Sequence, residues 1–133
     1  MLVGSNPSRR SPDNSVFHAS TRSRMTVDAW FRDIECQISF TNVSREKTEN
    51  NRPLTVREIR SNLPRLKEEL KGYDKIVALG NTAQKALTLL CFDFFAMPHP
   101  SGLNRLLNDP IYIKNKIKAL HRYIENNNQR SKI

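Results

Sequence analysis

The chain has 133 residues, enough for one domain with a single core and too few for a comfortable second one. Its 38% hydrophobic and 26% charged residues, with only 4 Gly and 7 Pro, exclude a wholly disordered or low-complexity chain, and no apolar run approaches the length of a membrane span. Lysine and arginine number 22 against 13 acidic residues, a net charge of +9 that favours a polyanionic partner such as nucleic acid.

Met1-Leu2-Val3 is an apolar stub that predicts a first strand ending at Gly4, with the protein beginning directly on it; a long polar loop over 4–24 follows. Val27, Trp30, Phe31 and Ile34 recur at i, i+3, i+4 and i+7, the spacing of one buried helix face, with Thr26 as the expected N-cap. Residues 37–41 alternate and carry Ile38 and Phe40, a short second strand ending at Asn42. After a second polar loop to Pro53, Thr55-Val56-Arg57-Glu58 has the capping-box form. Val56, Ile59, Leu63, Leu66 and Leu70 then mark an amphipathic helix up to Gly72, with a kink or restart expected at Pro64.

Residues 75–80 read as a buried strand, and Thr82 is expected to cap a helix carrying Ala83, Ala86, Leu87 and Leu90. Phe92 to Met97 forms the fourth predicted strand. A third loop from Pro98 to Arg105 passes into a helix through Leu106 and Leu107, and Asp109-Pro110 opens a last helix with the face Ile113, Ile117, Leu120 and Ile124. This alternation predicts the α/β class: one three-layer α/β/α domain over 1–125 with a mostly parallel four-stranded central sheet, and a polar tail over 126–133. Cys36 and Cys91 are too few for a disulfide framework or a thiolate metal site, and their apolar surroundings predict buried free thiols and no metal. The N-terminus lacks a charged-then-apolar leader, so the expected location is cytoplasmic, away from membranes.

In open α/β sheets, ligands bind beyond the carboxyl ends of the strands, where loops converge. Three polar loops begin at such ends, at Gly4, Asn42 and Pro98, and Arg9, Arg10, Arg22, Arg24, Arg45, Lys47, Arg52 and Arg105 lie in or beside them. Taken singly, Asn-Pro-Ser and His-Pro-Ser-Gly are ordinary turn sequences. His99 alone reads equally as a structural residue, Phe17 as a loop anchor and Asn42 as a strand-ending turn residue.

Together, and in order, the motifs resemble the uracil-DNA glycosylase superfamily. Gly4-Ser5-Asn6-Pro7-Ser8 looks like its first motif, a Gly-x-(Asp or Asn)-Pro loop after the first strand. His99-Pro100-Ser101-Gly102-Leu103-Asn104-Arg105 looks like its last motif, and is the more specific match. Phe40-Thr41-Asn42-Val43 followed by Asn51-Arg52-Pro53-Leu54-Thr55 resembles a stretch of the thermophile-type branch. Asn6 and the Gly-Leu-Asn-Arg run look like the mismatch-specific branch, so the chain is a hybrid by motif.

The resemblance implies an enzyme acting on uracil-containing DNA, single- or double-stranded, by base flipping, as a monomer and without a cofactor. The four cysteines that bind an iron-sulfur cluster in the thermophile-type branch have no counterpart in a chain with 2. Asn6 and His99 are the implied catalytic residues: Asn6 holds the attacking water, and His99 hydrogen-bonds O2 of the departing base as negative charge develops there. The main chain around Ser5 and Asn6 lines the base pocket, Phe17 stacks on the base, and Asn42 reads its edge. A fixed carboxamide offers one donor and one acceptor to match uracil O4 and N3-H, whereas cytosine presents the opposite pattern.

Ser8, Arg9, Arg10, Ser101, Gly102, Leu103, Asn104 and Arg105 are the implied DNA contacts, with Ser101 on a phosphate, Arg105 anchoring the strand and Leu103 filling the gap left by the extruded nucleotide. Asn6 stands where the most active branch has a carboxylate, and an amide cannot take a proton from water, so a slower enzyme is implied. The alternative is a weak or inactive module that binds uracil or a modified pyrimidine in DNA without cutting. The length also implies a trimmed core.

Overall fold

The computed structural model describes residues 1–5, 21–46, 48, 52–100 and 108–125. Strands β1 (Leu2–Gly4), β2 (Phe40–Asn42), β3 (Val77–Leu79) and β4 (Phe95–Met97) alternate with helices α1 (Arg22–Trp30), α2 (Val56–Leu70), α3 (Asn81–Leu89) and α4 (Pro110–Glu125). The strands form one four-stranded sheet in the order β2-β1-β3-β4, and every neighbouring pair is parallel. The predicted α/β/α architecture is therefore the observed one. The predicted tail over 126–133 lies outside the described residues, as does the expected helix through Leu106 and Leu107.

Alternation along such short strands divides the core in two. Val3 and Ala78 face α2 and α3, joining Ile59, Leu66, Leu70, Ala83, Ala86 and Leu87 in one buried cluster. Leu2, Val77 and Leu79 face the other way, joining Val27, Trp30 and Phe31 of the α1 region and Leu120 of α4. Burying side chains such as Leu66 and Leu87 on one face and Leu79 and Leu120 on the other contributes about 1.5–3 kcal/mol each, so helices stabilise the sheet from both sides. Tyr123 ties α4 to the opposite end of β3: its hydroxyl accepts from the Ile76 amide (3.1 Å) and donates to the Ile76 carbonyl (3.3 Å).

Local signals set the helix ends. The α2 capping box is present as predicted, with Thr55 Oγ1 accepting from Glu58 N (3.1 Å) and the Glu58 carboxylate accepting from Thr55 N (2.9 Å). Pro64 neither breaks nor restarts α2, which runs unbroken; its exposed ring removes one amide donor on the solvent side, where water can take the orphaned Arg60 carbonyl. Asp109 Oδ1 accepts from the amides of Ile111 and Tyr112 (3.1 Å each) and starts α4 at Pro110.

Several boundaries differ from the sequence reading. The N-cap of α1 is Thr21, not Thr26: Thr21 Oγ1 accepts from Arg24 N (3.3 Å), and an Arg24–Asp28 ion pair supports the first turns, which carry no apolar period to announce them. Ile34 lies past the end of α1 but still packs on its cluster. Gly80, not Thr82, is the N-cap of α3. β2, β3 and β4 are each shorter than predicted, since pairing is confined to the residues that β1 and β3 can reach.

Both cysteines are exposed, contrary to the buried thiols expected. For Cys91 the reason is a Schellman ending of α3, in which Phe92 N donates to Leu87 O (3.1 Å) and Cys91 N to Thr88 O (3.0 Å). Cys91 takes the left-handed position (φ 60°) outside the last turn, and Phe92 folds back onto the core instead. Among the described residues, no helix is long and apolar enough to cross a membrane.

Candidate active site

A sheet ordered β2-β1-β3-β4 sends its chain outward on one side after β1 and on the other after β3. In sheets with this kind of reversal, the loops at the carboxyl ends of the two central strands part, and ligands bind between them. Ser5 leaves β1 on one side of it and Gly80 leaves β3 on the other. Asn42 ends the strand outside β1, and His99 follows the strand outside β3. The three predicted loop starts thus lie on one edge of the sheet.

Of the predicted site residues, Ser5, Asn42 and His99 are described. Asn6, Ser8, Arg9, Arg10, Phe17, Ser101, Gly102, Leu103, Asn104 and Arg105 lie outside the described residues, as do Lys47 and the side chain of Arg22.

Asn42 is locked to the first loop by the sheet itself. It pairs in register with Gly4, and just past it Val43 N donates to Gly4 O (2.9 Å) and Ser44 N to Ser5 O (2.8 Å). The residue is only 3% exposed, yet its side-chain carboxamide has no hydrogen-bond partner among the described residues; its main-chain carbonyl alone is engaged, accepting from Arg65 Nη2 (3.0 Å). Leaving a buried polar group unsatisfied costs about 1–3 kcal/mol, and such groups are rare enough that each calls for a reason.

His99 lies across Gly80. A Cβ placed on Gly80 would meet His99 Cβ at 3.0 Å and Cδ2 at 3.2 Å, so the imidazole packs where any other side chain would be. Gly80 is also bent into a conformation open essentially to glycine alone (φ 91°, ψ 177°), while its amide donates to Met97 O (2.9 Å) at the end of β4. Burial pulls the His99 pKa below the ordinary histidine value, so the half-buried ring is neutral near pH 7. A neutral imidazole can donate one hydrogen bond without bringing a positive charge.

The sequence reading missed Gly80, whose role depends on packing against a residue far along the chain. It also missed Thr41, Arg65 and Glu69, which join behind Asn42. Arg65 donates to the carbonyls of Asn42 and Val43 and pairs with Glu69, which accepts from Thr41 Oγ1 (2.8 Å) and from Arg45 Nη2 (3.2 Å). Burial pushes the Glu69 carboxyl up, but the Thr41 hydrogen bond and the Arg65 and Arg45 charges outweigh it and leave it below its ordinary value.

Nor are all the loop cations free to meet a polyanion. Arg45 pairs with Glu69, and Arg24 pairs with Asp28 and lies over the Phe40 ring. Arg52 pairs with Glu58 through two bonds (2.7 and 3.1 Å), which with the Thr55 amide hold that carboxyl down at about 2.

A family model described as the uracil DNA glycosylase superfamily matches residues 1–125. No curated protein and no solved structure gives a significant match. With the match running across all four strands and their loops, the chain belongs to the uracil DNA glycosylase superfamily, which supports a DNA glycosylase-type function on a DNA substrate.

Proposed function

We propose that the chain hydrolyses the bond between uracil, or a related deaminated or modified pyrimidine, and deoxyribose in DNA, releasing the free base and leaving an abasic site. The observation that carries this reading is Asn42, a 3% exposed residue whose carboxamide has no hydrogen-bond partner among the described residues, at the edge of the sheet where the strands' carboxyl ends meet the loops. Its amide nitrogen would donate to O4 and its oxygen accept from N3-H of a flipped uracil. From β2 to β4 the sheet spans about 14 Å at ordinary strand spacing, room for a planar base between Asn42 and His99.

As the glycosidic bond breaks, its electron pair leaves with the base and spreads onto O2, where the neutral His99 imidazole donates a hydrogen bond. Water oriented by Asn6 then adds to the sugar cation, and its proton ends on the departing base or in solvent. Because a cation-like centre needs little help from a base, the Asn6 amide suffices, at a reduced rate. Phe17 would stack on the extruded base, with Ser5 lining its pocket. Ser8, Arg9, Arg10 and Ser101 to Arg105 would hold the strand, Leu103 filling the vacated gap. Every group so assigned comes from one chain, so a monomer is sufficient.

Incubating uracil-containing oligonucleotides with the protein and cleaving abasic sites with alkali tests the reading. Strand breakage at uracil that disappears in His99→Ala supports it. The amide at Asn6 favours one other reading, a module that binds uracil in DNA without cutting; uracil-dependent gel shifts with no abasic product would establish that instead.

A further inference from the structure

We infer that Arg65 and Glu69 are positioning residues for base selection, acting through Asn42; the inference rests on the proposed reading of Asn42 as the residue that recognises the base edge. β2 lies at the edge of the sheet, with β1 on one side only. On that side Asn42 is fixed by its register with Gly4 and by the amides of Val43 and Ser44. On the other side a strand neighbour is replaced by one guanidinium from the middle of α2. Arg65 Nη2 donates to the carbonyls of both Asn42 and Val43, gripping the chain where β2 ends.

The guanidinium is itself held. Its Nη1 pairs with Glu69 one helical turn along α2, and Glu69 also accepts from Thr41 Oγ1 (2.8 Å), the residue just before Asn42. Thr41, Asn42 and Val43 are thus tied consecutively to a single ion pair whose side chains are mostly buried (27% and 25% exposed). An i,i+4 pair on an exposed helix face contributes little and could be lost without consequence. This one is built differently: Arg65 donates to the Asn42 and Val43 carbonyls, and Glu69, which also pairs with Arg45, accepts from Thr41, so the pair grips the segment whose buried carboxamide has no hydrogen-bond partner among the described residues.

A carboxamide tells uracil from cytosine only while it is held in one orientation, since turning it over exchanges donor and acceptor. Arg65 does not touch the carboxamide; it fixes the main chain that carries it, on the side of β2 that the sheet cannot, and so sets where the carboxamide stands against the base. Lysine keeps the charge opposite Glu69 but has no planar fork to reach two carbonyls at once, so Arg65→Lys is an intermediate rather than a neutral change.

The test measures binding of single-stranded oligonucleotides carrying either 2′-fluoro-2′-deoxyuridine or 2′-fluoro-2′-deoxycytidine, by fluorescence anisotropy. The fluorine disfavours the sugar cation, so an active protein does not consume the probe. Wild type, Arg65→Gln, Arg65→Lys, Asn42→Ala and the Arg65→Gln/Asn42→Ala double variant are compared, each checked for cooperative thermal unfolding. The expected result is that Arg65→Gln lowers the uracil-over-cytosine affinity ratio by about tenfold, Arg65→Lys lowers it less, and Arg65→Gln has no further effect on the ratio once Asn42 is Ala.

An Arg65→Gln protein that unfolds cooperatively and keeps the wild-type ratio, while Asn42→Ala loses it, overturns the positioning role and leaves the reading of Asn42 intact. If Asn42→Ala itself keeps the ratio, the reading of Asn42 fails and the inference fails with it. Should Arg65→Gln not fold, Arg65→Lys decides: a ratio equal to wild type overturns the inference and a reduced one supports it.

Discussion

Replacing Gly80 by alanine perturbs the backbone and the proposed leaving-group site together. At φ 91° and ψ 177° an L-residue pays about 1–3 kcal/mol of strain, and in a chain of 133 residues a 2 kcal/mol loss lowers the melting temperature by roughly 5–10 °C. The new Cβ would also stand 3.0 Å from His99 Cβ, and an ordinary contact requires the imidazole to retreat by about 0.4 Å. Displacing a reacting or stabilising group by 1 Å can cost about 10²-fold in rate, so a retreat of this size corresponds to roughly a five- to tenfold loss of base release. Single-turnover base release below the melting transition, measured beside thermal denaturation, separates the two effects. Gly72→Ala is the control, because Gly72 also has positive φ (86°) but a Cβ there meets nothing within 4 Å. It should lose stability with no change in rate. A Gly80→Ala protein with unaltered base release would refute the reasoning that His99 acts from its seat on Gly80.

Four further outcomes are expected. Burial keeps His99 neutral below the ordinary histidine value of about 6.5, so a pH–rate profile should hold its plateau below pH 6.5 and fall only in more acid solution; a decline centred at or above 6.5 contradicts this. The sign for folding follows from the same depressed pKa: as pH drops below about 6.5 the unfolded chain takes up the proton first, so stability declines until the native value is passed. Urea unfolding of wild type and His99→Gln across that range should show a steeper decline in wild type than in the variant, the remainder in both coming from the other groups held low in the native state; equal slopes would contradict it. Cys91→Gly should raise stability by about 0.5–1 kcal/mol in calorimetry, because an exposed residue at φ 60° is relieved of left-handed strain; a loss of stability would mean the thiol packs usefully. Asn42→Asp should abolish uracil release, since an ionised carboxylate serves N3-H but leaves O4 without a donor; undiminished release would move base reading elsewhere.

The sequence made the sheet edge legible because strand ends in this chain are chemically abrupt. Gly4 and Pro98 each stop an apolar run and Asn42 an alternating one, and a parallel α/β sheet brings such stops to one side. The α2 start was equally readable, since a capping box is a local reciprocal bond between Thr55 and Glu58. What escaped the reading depends on contacts across the fold. Thr21 caps a turn rich in basic residues with no apolar period, while Thr26, nearer the periodic face, looked the better cap. Gly80 reads as a simple strand end in the sequence, and its role comes from His99 packing against it. Arg65 and Glu69 have the spacing of a solvated surface pair, and only the approach of β2 to α2 turns them toward Asn42. The same reasoning misjudged Cys91, whose apolar neighbours suggested burial although the helix ending turns it outward.

The most direct test of the central claim is uracil release by wild type and Asn42→Ala from matched oligonucleotides carrying uracil, thymine or cytosine, single-stranded and paired with guanine or adenine. The proposal predicts abasic sites at uracil in the wild-type reactions, none at cytosine, and loss of uracil release in the folded Asn42→Ala variant. No strand breakage on any uracil substrate, or equal release by wild type and variant, would contradict it.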